Sequence, residues 1–148
     1  PGAAATSPTT GPPQEPSDMP DDRRWTPVSL PDAPPPVGAY SRAVRAGDML
    51  FVSGQLPRDP ATGELLGDDI LSQSRAALAN LERVLNAAGA TLEDVVSVSA
   101  YLAGIQYWNA FNEVYAETFS PPYPTRTTVS AELHGALVEV SAVAWLGG

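Results

Sequence analysis

Arg126 stands in Tyr-Pro-Thr-Arg-Thr-Thr-Val, at the start of a run of small β-formers. A guanidinium in such a setting is costly without an anionic partner. Its planar fork matches a carboxylate through two parallel N–H···O bonds. The partner is either the carboxylate of a ligand or an acidic side chain of the protein; otherwise the arginine is an exposed edge charge. Glu139 interrupts the run Ala-Leu-Val-Glu-Val-Ser-Ala-Val-Ala. A lone carboxylate there is unusual. Buried, it would hold its proton more tightly and could serve as a general acid or base. The alternatives are an exposed position on a half-covered strand, or simple pairing with Arg126. Ser53-Gly54-Gln55 ends the run Leu-Phe-Val-Ser-Gly-Gln, where a glycine permits close approach of backbone and ligand, or forms an ordinary strand-end turn. It is not a nucleophile elbow, because Phe51 stands two residues before the serine. His134, the sole histidine, precedes Gly135 and is expected to be a surface turn residue. Trp108, Phe111 and Tyr115 are expected to serve the core rather than to form a stacking platform.

Composition removes many other chemistries. The chain has 148 residues, 17 acidic and 8 basic, for a net charge of −9. All eight basic residues are arginine, so neither a Schiff-base lysine nor a P-loop lysine exists. A net-negative chain without clustered cations is a poor nucleic-acid binder. No cysteine is present, which removes disulfides, thiolate metal sites and a cysteine nucleophile. It also fits a reducing compartment, and the expected location is cytoplasmic. One histidine cannot build a two-histidine metal site within one chain. No run approaches the roughly 20 apolar residues of a membrane-spanning helix, so no membrane partner is expected.

The elements that must position these residues follow a change in composition. Eleven of the sixteen prolines lie in the first 36 residues. Residues 1 to about 24 have one methionine as their only large apolar side chain, which predicts a disordered acidic tail; they lack the cationic start and apolar core of a signal peptide. The domain is expected from residue 25 to 148. Thr26 to Leu30 reads as an edge strand because of Pro27. Tyr40 to Arg45 and Met49 to Gln55 read as a hairpin around Ala46-Gly47-Asp48. Leu71, Leu78, Leu81, Leu85 and Ala88 recur at helical spacing, with Asp68 or Asp69 as cap and Gly89 as stop; Arg75 and Arg83 fall on its solvated face. Val95 to Leu102 alternates as a strand. A second helix spans about Tyr107 to Phe119, ended by prolines. Arg126 to Ala131 and Leu137 to Trp145 complete the set. This order predicts an α+β domain with one mostly antiparallel sheet, two helices on one face and the other face bare. Val98, Val140 and Ala142 are expected on the bare face, where a further chain would have to cover them.

Five segments together resemble a known family. They are Gly38-Ala39-Tyr40-Ser41-Arg42-Ala43-Val44, Phe51-Val52-Ser53-Gly54-Gln55-Leu56-Pro57, Thr62-Gly63-Glu64-Leu65, Tyr123-Pro124-Thr125-Arg126-Thr127-Thr128-Val129 and Gly135-Ala136-Leu137-Val138-Glu139-Val140. Their order and spacing, from about Val28 to Leu146, are similar to those of the RidA/YjgF reactive-intermediate deaminases. The resemblance implies a chorismate-mutase-like fold and a homotrimer whose sheets form a central barrel, with sites in the clefts between subunits. It implies hydrolysis of enamines and imines such as 2-aminoacrylate to 2-keto acids and ammonia, with no cofactor and no metal. By position, Arg126 would hold the substrate carboxylate and Glu139 would orient or activate water. Tyr40, Ser53, Gly54 and Asn112 would line the cleft.

The chain also departs from the family pattern. Ala39 and Arg42 replace the usual proline and glutamine. The segment from Arg126 to Glu139 is about two residues shorter than the common form, and Leu133-His134 replaces Leu-Pro. These departures bear on the substrate more than on the fold, and suit a larger imine or enamine. Two other classes remain: a non-catalytic, carboxylate-binding or regulatory trimer, and a ribonuclease, against which the charge argues.

Overall fold

The computed structural model describes residues 2–4 and 24–147; the expected disordered tail, apart from residues 2–4 and Arg24, lies outside the described residues. The elements are β1 (Thr26–Val28), β2 (Ala43–Ala46), β3 (Met49–Gln55), α1 (Ile70–Ala87), β4 (Val95–Leu102), α2 (Trp108–Thr118), β5 (Thr125–Ser130) and β6 (Val138–Trp145). They build the expected α+β architecture: one mixed six-stranded sheet in the order β1-β2-β3-β6-β4-β5. β2 and β3 form the expected hairpin, with Gly47 at φ 58° in its turn, a conformation glycine adopts without Cβ strain. β4 and β5 run parallel. That pairing needs a crossover, and α2 supplies it.

Local chemistry sets the limits of α1. Asp69 accepts a hydrogen bond from the Ser72 amide at 2.8 Å, and the Ser72 hydroxyl in turn accepts from the Asp69 amide. This is a capping box. The Ser72 hydroxyl first, then its amide, hold the Asp69 carboxyl below the usual carboxylate range. At the other end Gly89 takes φ 79° and the Ala90 amide reaches back to the Leu85 carbonyl at 2.9 Å, which closes the last turn. One buried side chain, Gln73, ties this helix to the rest. Its amide donates to the Gly67 carbonyl at 3.1 Å and its oxygen accepts from the Leu137 amide at 2.8 Å, just before β6.

Leu78, Leu81, Leu85, Phe111 and Val114 from the helices meet Leu50, Val98, Leu102, Val138 and Val140 from the sheet, all fully or almost fully buried. This corrects one expectation. Val98, Val140 and Ala142 lie on the helix-covered face, not the bare one. The strand parity explains it. Val138, Val140, Ala142 and Ala144 alternate with Glu139, Ser141, Val143 and Trp145, and the parity carrying Glu139 and Ser141 faces away from the helices. The face without helices carries Tyr101 beside Glu139, Ser99 beside Ser141, Phe51 beside Val143 and Met49 beside Trp145. Phe51 is 47% and Trp145 52% exposed there.

Leu81 is wholly buried between α1 and the sheet. Leu81→Ala is expected to cost about 2–5 kcal/mol of stability, measured by denaturant titration. A loss well below that would show that the helix layer contributes little to the core.

Candidate active site

Arg126 sits on β5 beside Val98 of β4, so it points to the helix side of the sheet. There its guanidinium carbon lies 4.5 Å from the ring centre of Tyr115, 5.3 Å from Trp108 and 5.7 Å from Phe111. All three rings belong to α2. Spacings of three, four and seven residues put them on one helical face, and that face packs under the strand edge. Phe111 and Tyr115 are indeed core residues, but with Trp108 they also form a platform for the arginine, which corrects the expectation that they serve the core alone. Among the described residues Arg126 has no carboxylate within ion-pair distance and donates no hydrogen bond. Cation–π contact holds the guanidinium, and its five N–H donors are left for a ligand.

Arg126 and Asn112 line one cavity of about 360 Å³, with Tyr115 and Tyr123. Among the described residues, the buried hydroxyls with no hydrogen-bond partner include Tyr115 Oη in the wall of this cavity and Thr128 Oγ1 further along β5. Burial pushes the Tyr115 hydroxyl above its ordinary value, and the positive charge of Arg126 pulls it the other way. Unpaired buried hydroxyls are uncommon and call for a reason. Thr128, two places along β5 from Arg126, shares its face of the sheet.

Tyr40, Ser53, Gly54 and Glu139 form a second group. The register of β3 against β6 shifts between Val52 and Gln55, a bulge of the kind that re-aims side chains. Within it the Ser53 hydroxyl donates to the Ser41 carbonyl at 2.6 Å and its amide donates to the Arg42 carbonyl at 2.9 Å. The Glu139 carboxyl lies against the Cα of Gly54, and a Cβ on that residue would fall on the carboxyl oxygen. A side chain at residue 54 would therefore displace the Glu139 carboxyl from this position. Tyr40 and Gly54 line a cavity of about 300 Å³. Glu139 is half-buried and neither fully enclosed nor paired with Arg126. The two stand on opposite faces of the sheet, since Glu139 is beside Tyr101 and Arg126 beside Val98. His134 is exposed at φ 51°, in the turn before β6.

Known proteins match this chain over most of its length. The model of the family described as Endoribonuclease L-PSP matches residues 30–146. A RutC family protein of Pyrococcus horikoshii is 42% identical over 116 residues, 77% of this chain and 92% of that protein. A 2-iminobutanoate/2-iminopropanoate deaminase of Capra hircus is 36% identical over 122 residues, 81% of this chain and 89% of that one. The crystal structure of RidA from the Antarctic bacterium Psychrobacter sp. superposes with a TM-score of 0.75 at 34% identity, over 81% of this chain and 98% of that chain.

Proposed function

Since the chain belongs to the Endoribonuclease L-PSP family, which is the RidA/YjgF family, we propose that it is a hydrolase that deaminates reactive imines and enamines of amino acids to 2-keto acids and ammonia. The observation that carries this reading is the unpaired Arg126 guanidinium at a cavity shared with Asn112. It is a ready-made seat for a carboxylate. Relatives named as imine deaminases support the reading.

Arg126 grips the substrate carboxylate with its fork. Glu139 takes a proton from water, whose oxygen bonds to the C=N carbon, and passes that proton to the imine nitrogen. The resulting carbinolamine loses ammonia as its C–N bond breaks and C=O forms. An enamine enters the same route after gaining a proton at its terminal carbon. Holding water and imine together makes the addition effectively unimolecular. The test is a coupled assay: threonine dehydratase generates 2-iminobutanoate, and keto-acid release is followed with and without this protein. No acceleration would sink the reading in favour of a carboxylate-binding protein.

Arg126 and Glu139 occupy opposite faces of one sheet, so one protomer holds two half-sites. A complete site takes Arg126 and Asn112 from one chain and Tyr40, Ser53, Gly54 and Glu139 from its neighbour. The exposed Phe51 and Trp145 on the helix-free face supply apolar surface for that contact. The family resemblance implies three chains. Light scattering at micromolar concentration is expected to give three times the 15.5 kDa chain mass. A monomer would leave every site half built.

A further inference from the structure

The chain is strongly acidic, yet three of its eight arginines converge on one cavity. Arg42, Arg58 and Arg83 all line the space of about 300 Å³ whose wall includes Gly54, the residue on which the Glu139 carboxyl rests. Arg58 is fixed in the wall, donating to the Gly63 carbonyl at 3.1 Å and the His134 carbonyl at 2.9 Å. Arg42 spends one donor on the Pro34 carbonyl at 2.6 Å and keeps the rest. Arg83 donates no hydrogen bond among the described residues, and its charge helps to hold the nearby Asp59 carboxyl below its ordinary value, after the Ala61 and Thr62 amides. One lining residue is acidic: Asp59, whose Oδ1 accepts from the Ala61 and Thr62 amides at 2.8 and 3.1 Å. Three positive charges against one negative leave the wall cationic. Like charges gathered around a cavity repel unless an anion joins them, and such a wall draws anions to itself.

The substrate carboxylate already has Arg126. A second cationic centre, sharing Gly54 with the half-site of Glu139, calls for a second anion. We propose that the cavity walled by Arg42, Arg58 and Arg83 binds a second carboxylate of the substrate, so that this protein prefers dicarboxylic imino acids. This inference rests on the deaminase reading for its chemistry. The reaction is unchanged: water adds at the C=N carbon and ammonia leaves. The second carboxylate takes no part in bond making. It fixes the far end of the molecule so that the imine carbon faces Glu139.

Two measurements separate this proposal from the deaminase reading. Calorimetry on the full chain compares succinate with butyrate, stable acids that need no turnover. Turnover compares iminosuccinate, made in place by aspartate oxidase, with 2-iminobutanoate. Succinate is expected to bind at least about tenfold tighter than butyrate, as a charge-assisted arginine contact provides. Arg42→Gln and, separately, Arg83→Gln should each reduce that ratio, and the turnover ratio with it. Arg45→Gln removes the same charge outside the cavity, where the Arg45 side chain donates to the Gly47 carbonyl, and should keep the ratio. Equal binding of the two acids, or a ratio unmoved by both cavity variants, overturns the cavity assignment whatever the enzyme turns over. A preference for succinate that falls in the cavity variants upholds it, even if neither imine is hydrolysed; in that case the deaminase reading alone fails.

Discussion

Arg126→Ala is expected to cut the turnover of 2-iminobutanoate by about two orders of magnitude or more. Losing a charged, bidentate contact costs roughly 2–5 kcal/mol, and every 1.4 kcal/mol is about tenfold in rate. The change should be clean to read. Arg126 has no carboxylate partner among the described residues, so its removal leaves no buried countercharge behind. Arg126→Lys should rescue poorly, because an ammonium cannot present two parallel donors or lie flat on the rings of Trp108 and Tyr115. The dehydratase-coupled assay reports the rate, and a thermal melt checks the fold. An alanine variant as fast as the parent protein would show that the carboxylate is held elsewhere.

Glu139→Gln should lower kcat by about 10²- to 10⁴-fold, the usual contribution of general acid–base groups, with less effect on KM because shape is kept. This variant also tests how the site is assembled. Arg126→Ala and Glu139→Gln subunits, each nearly inactive, can be unfolded, mixed and refolded together. If each site joins two protomers, about a quarter of the sites in a random mixture pair an intact Arg126 with an intact Glu139. Activity should then rise to about that fraction of the parent value. A mixture no better than its components would show that one chain supplies both groups.

The sequence made some elements plain and hid others, for physical reasons. α1 was legible because its leucine spacing, the Asp69 cap and the Gly89 stop all agree. The hairpin and β4 were legible from turn chemistry and alternation. Parallel pairing of β4 with β5 was not, because no local residue encodes a partner across a crossover. The misplaced face of Val98, Val140 and Ala142 came from counting apolar residues along each strand without following their parity. Glu139 and Ser141 share a parity, and that alone sends Val140 and Ala142 to the helices. For the site, the types of Arg126 and Glu139 stood out against small and apolar neighbours. Their placement on opposite faces did not, since it depends on which strands flank them. The stripe of Trp108, Phe111 and Tyr115 was visible, but its second duty appears only when β5 is laid over it.

Gln73 joins regions that sequence distance keeps apart. Its two bonds hold the carbonyl of Gly67, ahead of α1, and the amide of Leu137, two residues before Glu139. Neither backbone group can lose that side chain without becoming an unmet polar atom in a partly buried place. The first turn of α1 and the entrance to β6 therefore belong to a single cooperative unit of opening. In hydrogen-exchange terms, the Leu137 amide is shielded by the same event that shields the start of α1. The carboxylate at position 139 thus inherits its steadiness from the first turn of α1.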